Sequence, residues 1–157
     1  MTPAHLPERL ATVVAAFRMA PRPLKLALLL EHARRVPPLP PALRDEPRRL
    51  ERVDECQTPF FLATELDAEG RVRLHFDAPE ESPTTRGFAG VLWVGLDGAT
   101  ADEVLAVPAD IADRLGLAEA ISPLRLRGMG AILARLQRQV RRAVAGDTAA
   151  GDGAAAR

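Results

Sequence analysis

Phe60 to Phe76, FFLATELDAEGRVRLHF, is the stretch that decides the fold class. Phe60, Leu62, Thr64 and Leu66 alternate with Phe61, Ala63 and Glu65. Asp67-Ala68-Glu69-Gly70 then supplies turn chemistry, and Arg71-Val72-Arg73-Leu74-His75-Phe76 alternates polar with apolar at a period of two. Successive side chains of a strand point to opposite faces, so this pattern predicts an antiparallel hairpin with one apolar and one wet face. His75 falls on the wet face beside Arg71 and Arg73 and reads as an ordinary solvent-facing histidine. The apolar face needs a cover, and the flanking sequence is helical.

Upstream, Leu10, Val13, Val14 and Phe17 recur at helical spacing, predicting a first helix over Leu6 to Met19 with Pro7 in its first turn. Pro21 and Pro23 break the chain and start a second helix over Leu24 to Val36, with Leu26, Leu29 and Leu30 as its stripe. Pro37-Pro38-Leu39-Pro40-Pro41 predicts a stiff extended connector. Downstream, Thr84 or Thr85 can cap a helix through Phe88, Val91, Leu92 and Val94, in which Gly87 and Gly90 read as close-packing positions. Thr100 and Glu103 have capping-box spacing and open a short helix to Val107; another runs from Ala109 to Leu115 and stops at Gly116. Ser122-Pro123 starts a long terminal helix, whose Leu124, Met129, Ile132, Leu133, Leu136, Val140 and Val144 are expected along one side. The expected architecture is therefore α+β, a small antiparallel sheet packed against N-terminal and C-terminal helices. Residues 1–145 form one domain, and residues 146–157, composed largely of Ala, Gly and Asp, are expected to be a disordered tail.

Charge bounds the function. The 21 basic residues are matched by 21 acidic ones, so the Arg clusters at 44–52 and 125–142 read as solvated faces, and a nucleic-acid partner is not expected. No apolar run approaches the length of a membrane span, and MTPAHLPERL lacks the charge and apolar pattern of a secretory signal. The single cysteine, Cys56, cannot form an internal disulfide, which points to a reducing compartment, the cytoplasm.

Inventory excludes most catalytic chemistry. Cys56, His5, His32 and His75 have no ligand-type spacing, so no metal is expected; P-loop, dinucleotide and GxSxG patterns are missing, and the carboxylate pairs read as loop charges. The thiol remains. In RLERVDECQTPFFLATEL, residues 49–66, charged residues precede Cys56 and an apolar strand follows it, with Thr58-Pro59 as breaker, so the cysteine is placed on a loop tip where a partner can meet it. Three uses of such a thiol are open: sulfur acceptance, redox sensing, or no use at all in an α+β interaction module.

Four segments in order resemble the SufE family of sulfur-acceptor proteins. Leu30-Glu31-His32-Ala33-Arg34-Arg35-Val36-Pro37 is similar to the family's ELGxxLP segment, and Val53-Asp54-Glu55-Cys56-Gln57-Thr58 to its VxGCQS motif. Arg86-Gly87 matches a basic residue followed by glycine, and Ser122-Pro123-Leu124-Arg125-Leu126-Arg127-Gly128-Met129 is similar to SPxRxxGL. Ala33, Glu55 and Thr58 replace the motif's glycine, glycine and serine. The resemblance implies a SufE/IscU-like fold and a carrier with no cofactor of its own. On this reading Cys56 takes persulfide sulfur from a pyridoxal-phosphate-dependent, SufS-like cysteine desulfurase, stimulates that enzyme, and passes the sulfur to a SufBCD-like cluster-assembly scaffold. It implies an apolar cover for the persulfide, expected from Phe60, Phe61 and the helix carrying Phe88 to Trp93. It also places Arg125 near the cysteine loop, either supporting the thiolate or bonding a loop carbonyl. Glu55 disfavours a neighbouring thiolate unless Arg52 or another cation offsets it.

Overall fold

The hairpin forms as its alternation predicts. In the computed structural model, which describes residues 5–146, β2 (Phe61–Leu66) pairs antiparallel with β3 (Val72–Asp77). Leu62 faces Phe76, Thr64 faces Leu74 and Leu66 faces Val72, so the apolar positions share one face. The turn is closed by the Asp67 carboxylate, which accepts the Glu69 and Arg71 backbone N–H groups at 3.0 and 2.9 Å, and by Gly70 at φ +78°. On the other face His75 Nε2 donates to the Glu65 carboxylate at 2.9 Å, so the histidine is paired across the strands rather than simply solvated.

A third strand, β1 (Glu51–Arg52), adds to β2 in the order β1-β2-β3, with Glu51 opposite Leu62 and Arg52 opposite Phe61. It was not expected, because two residues within a charged run carry no alternation. Helices α1 (Glu8–Met19) and α2 (Arg22–Ala33) form the N-terminal pair; α1 starts later than expected, while α2 starts earlier, at Arg22, and ends sooner, at Ala33. The proline connector is extended only through Pro40, since Pro41 starts the short helix α3 (Pro41–Asp45), and a 3₁₀ turn at Pro47–Arg49 follows. Helix α4 (Pro83–Leu96) begins one residue before the expected threonines, with Pro83 at its first position. Then come α5 (Ala101–Leu105) with the capping box on Thr100 and Glu103, and α6 (Ile111–Arg114), which ends before Gly116 at φ +77°. Helix α7 (Pro123–Val144) is capped by Ser122, whose hydroxyl accepts the Arg125 N–H. The tail expected from residue 146 lies, from 147 onward, outside the described residues.

Helix α7 lies on β2 and α4 against β3, while α1 and α2 pack on α4. The core between them holds Phe17, Phe60, Leu62, Leu74, Phe88, Leu92, Leu136 and Val140, each almost wholly buried. At the α2–α4 crossing a Cβ on Gly87 would strike the Leu29 carbonyl, and one on Gly90 the His32 carbonyl. Glycine there lets two backbones touch. Buried Lys25 ends α1 by donating to the Phe17 and Ala20 carbonyls at 2.6 and 2.9 Å. Arg86 joins the seam to the sheet, donating to the carbonyls of Ala33 and Ala78.

Candidate functional site

The Cys56 loop is pinned at both ends. Val53 and Phe60 are fully buried, and the Val53 N–H donates to the Phe60 carbonyl at 2.9 Å, so residues 53–60 leave the sheet and return to it at one point. Within the loop the Cys56 N–H reaches back to the Val53 carbonyl at 3.1 Å, a tight turn that aims the side chain inward. Cys56 is accordingly 9 % exposed, and its Sγ lies 3.9 Å from the Gly128 carbonyl in α7. The accessible tip expected from the charged flank is corrected: Asp54 and Glu55 face water while the thiol faces the core. A Cβ on Gly128 would sit 3.4 Å from Sγ and 3.7 Å from the Glu55 carbonyl, ordinary contact distances, so the glycine leaves free space beside the thiol rather than permitting a closer approach.

Beside Sγ is a cavity of about 30 Å³, walled by Thr58, Thr85, Leu124, Arg125, Gly128 and Met129 among others. Its volume is enough to admit a water-sized group. One wall is a run of hydroxyls, Thr58 to Ser82 at 3.1 Å and Ser82 to Thr85 at 3.3 Å, which ties the loop to the start of α4. The expected aromatic cover is also corrected. Phe60 packs on Phe76 within the core, Phe88 is buried in α4, and Phe61 lies under the Arg52 guanidinium; Leu124 and Met129 supply the apolar lining instead.

Arg125 lines the same cavity as Cys56, with its guanidinium donating to the Thr84 hydroxyl at 2.7 Å. The charges that act on the thiol are others. Burial first, then the Glu55 carboxylate, push the Cys56 pKa up to about 11, and Arg135 partly opposes them. Arg52 is taken up by Asp54 at 3.7 Å. Arg135, on α7, donates to Glu51 at 2.8 Å, to Glu55 at 2.9 Å and to the Arg52 carbonyl at 3.0 Å. The Glu55 carboxyl is held below its usual range by its own backbone N–H and by Arg135. Burial alone would raise Glu51, but bonds from Gln139 and Arg135 outweigh it and lower its pKa.

Arg135, Gln139 and Gly128 were not singled out as site residues from the sequence. The signal was present: Gly128, Ile132, Arg135 and Gln139 fall on one face of α7, so a cation and an amide interrupt a stripe that is otherwise apolar. Among the described residues no cluster of three or more His, Cys, Asp or Glu is placed to hold a metal ion, and no helix is long and apolar enough to cross a membrane.

Comparison with known proteins gives a consistent picture. A family model described as "SufE: Fe-S metabolism associated domain" matches residues 11–140. An uncharacterized SufE-like protein of Mycobacterium tuberculosis is 52 % identical over 141 residues, covering 90 % of this chain and 97 % of that one. SufE-like protein 1 of Arabidopsis thaliana, chloroplastic/mitochondrial, is 28 % identical over 136 residues, or 86 % of this chain and 35 % of that longer protein. Among solved structures, the solution structure of a hypothetical protein from Thermus thermophilus superposes with a TM-score of 0.80 at 45 % identity, covering 90 % of this chain and 99 % of that one.

Proposed function

The chain belongs to the SufE family, a domain associated with Fe–S metabolism, and from that premise we propose that it is a sulfur acceptor working through Cys56. The Cys56 thiolate attacks the outer sulfur of a persulfide on a pyridoxal-phosphate-dependent cysteine desulfurase. A new S–S bond forms to Sγ, the desulfurase S–S bond breaks, and the desulfurase cysteine leaves as a thiolate that takes up a proton. No oxidant is consumed, because the sulfane sulfur moves without net change of oxidation state. Cys56 then carries the persulfide to a cluster-assembly scaffold. The carrier itself needs neither metal nor cofactor, since the transfer is thiol chemistry throughout. The reaction suits the cytoplasm, where thiols are kept reduced.

The observation that carries this reading is the geometry at Sγ: one thiol, only 9 % exposed, facing a cavity beside Gly128 with room for an added sulfur. A persulfide resting there is protected from stray thiols, and with a single cysteine in the chain nothing within the molecule resolves it into a disulfide. A peroxide sensor is disfavoured, since sensing thiols are exposed and of low pKa whereas this one is buried and raised. With a pKa near 11, only about one thiol in 10⁴ is ionised at pH 7 in the closed form. Sulfur acceptance therefore requires the loop to open onto the desulfurase. In the opened state Arg125, at the cavity wall, is the cation that meets the emerging thiolate.

The test is incubation with a cysteine desulfurase and free cysteine, followed by alkylation and mass spectrometry. Wild-type protein is expected to gain one sulfur at Cys56 and to speed desulfurase turnover; Cys56→Ser folds and does neither. Arg125→Ala is expected to slow loading, and Arg125→Lys to recover most of it, because the lysine keeps the charge. Full stimulation by Cys56→Ser would remove the acceptor reading.

A further inference from the structure

Arg135 joins two parts of the molecule that differ in how firmly they are held. Glu51 is the fixed part. It lies in β1 opposite Leu62, its side chain is 27 % exposed, and it is braced by Gln139 at 2.9 Å and Arg138 at 3.4 Å as well as by Arg135. Gln139 continues the brace to the Leu62 carbonyl at 3.3 Å. Glu55 is the releasable part. It directly precedes Cys56, its side chain is 53 % exposed against 17 % for Arg135, and the side-chain bond recorded for it runs to Arg135 at 2.9 Å. Asp54, at 4.0 Å from Arg135, is 77 % exposed.

We propose that Arg135 is a positioning residue for sulfur acceptance: its bonds to the Arg52 carbonyl and Glu51 anchor it, and its bond to Glu55 is the catch that holds Cys56 in the closed cavity. This rests on the acceptor reading for its purpose, but not for its test. The loop opens when the Glu55 pair breaks while the Glu51 pair stays, so the thiol swings out about a fixed Val53–Phe60 base. An exposed ion pair is weak and screened by salt, which suits a contact that must break in each cycle.

The catch and simple electrostatics predict opposite signs for one variant. Arg135 opposes the upward shift of the thiol, so charge alone says that Arg135→Gln makes Cys56 less reactive. A catch says the reverse, because the loop opens more often. The experiment is the rate of Cys56 alkylation by iodoacetamide at pH 7.5 in the free full-length chain, with the melting temperature of each variant recorded alongside. Arg135→Gln and Glu55→Gln are each expected to react about two to five times faster than wild type. Wild-type reactivity is expected to rise between low salt and about 0.5 M NaCl, and that of Glu55→Gln to stay flat. Arg135→Lys, which keeps a charge but not the fork, is expected to fall between wild type and Arg135→Gln. Equal or slower reaction of Arg135→Gln with an unchanged melting temperature overturns the proposal. Should that variant melt early, a salt response in Glu55→Gln equal to that of wild type overturns it instead. No desulfurase takes part, so failure here leaves the acceptor reading standing, and failure of sulfur loading leaves the catch standing.

Discussion

Two of the glycine-bearing contacts of this molecule are built in opposite ways. At the α2–α4 crossing Gly90 and Gly87 bring backbone onto backbone, with the His32 and Leu29 carbonyls already where a side chain would be. At the α7 contact Gly128 faces a sulfur atom and a loop carbonyl at ordinary van der Waals distance, with a void beside them. Beside the apolar lining of Leu124 and Met129, that second contact carries polar groups: hydroxyls of Thr58, Ser82 and Thr85 on one side, Arg135 and Glu55 on the other. A backbone crossing has one good arrangement, whereas the thiol niche is held by side-chain bonds, of which the exposed Glu55 pair is the one proposed to release. The first seam fixes the scaffold and the second leaves it something to move.

The sharpest way to break this comparison is Gly90→Ala. The added methyl meets the His32 carbonyl, and neither helix can shift without disturbing Leu29 and Phe88 in the core. A loss of about 3 kcal/mol is expected, roughly 10 °C in melting temperature for a chain of this size. Thermal unfolding followed by circular dichroism measures it. A variant as stable as wild type would mean the two contacts are equally yielding.

A smaller effect belongs to the cavity side alone and is read through pH. The folded chain holds the Cys56 proton more tightly than the unfolded chain does, its pKa being raised to about 11 from an ordinary value near 9. Stability from this source is fully present below about pH 9 and is lost as the pH climbs to about 11, because the unfolded state then releases the proton first. Allowing for solvent screening at the cavity mouth, the loss is about 1 to 2 kcal/mol. Cys56→Ser has no titrating group there, so the difference between the two stability curves from pH 8 to 11 isolates the thiol. Parallel curves would show that the sulfur is not desolvated.

What could be read from the sequence divides along the same line. The hairpin, the α4 glycines and α7 announce themselves because periodicity and packing are local properties: Leu62 to Leu66, Gly87 with Gly90, and Met129 to Val140 each carry their pattern within one element. The state of Cys56 is not local. Its charged neighbours describe the outer side of the loop correctly, but the burial comes from Gly128, 72 positions away, and the opposing charge from Arg135, 80 positions from Glu55. Strand β1 escaped for a related reason, since the partner that makes Glu51-Arg52 a strand is Phe61-Leu62. The resemblance reached Cys56 and Arg125 through motif positions; Arg135 lies beyond the last motif and needed the fold.

Gly128→Ala gives the smallest change in stability and tests whether the niche is used. Its Cβ would stand 3.4 Å from Sγ, a contact the thiol can take without displacing backbone, and alanine gains up to about 1 kcal/mol over glycine inside a helix. The melting temperature is therefore expected to stay within about 3 °C of wild type. A methyl takes up space beside Sγ, however, and crowds the second sulfur of a persulfide out of the position next to residue 128. Loaded Gly128→Ala is expected to surrender its sulfane sulfur to added dithiothreitol several times faster than loaded wild type, although Cys56 itself is unchanged. Equal lifetimes would place the outer sulfur somewhere other than this cavity. A fall in melting temperature as large as that of Gly90→Ala would show that α7 meets the loop as tightly as α4 meets α2, and would remove the distinction between a seam that fixes and a seam that opens.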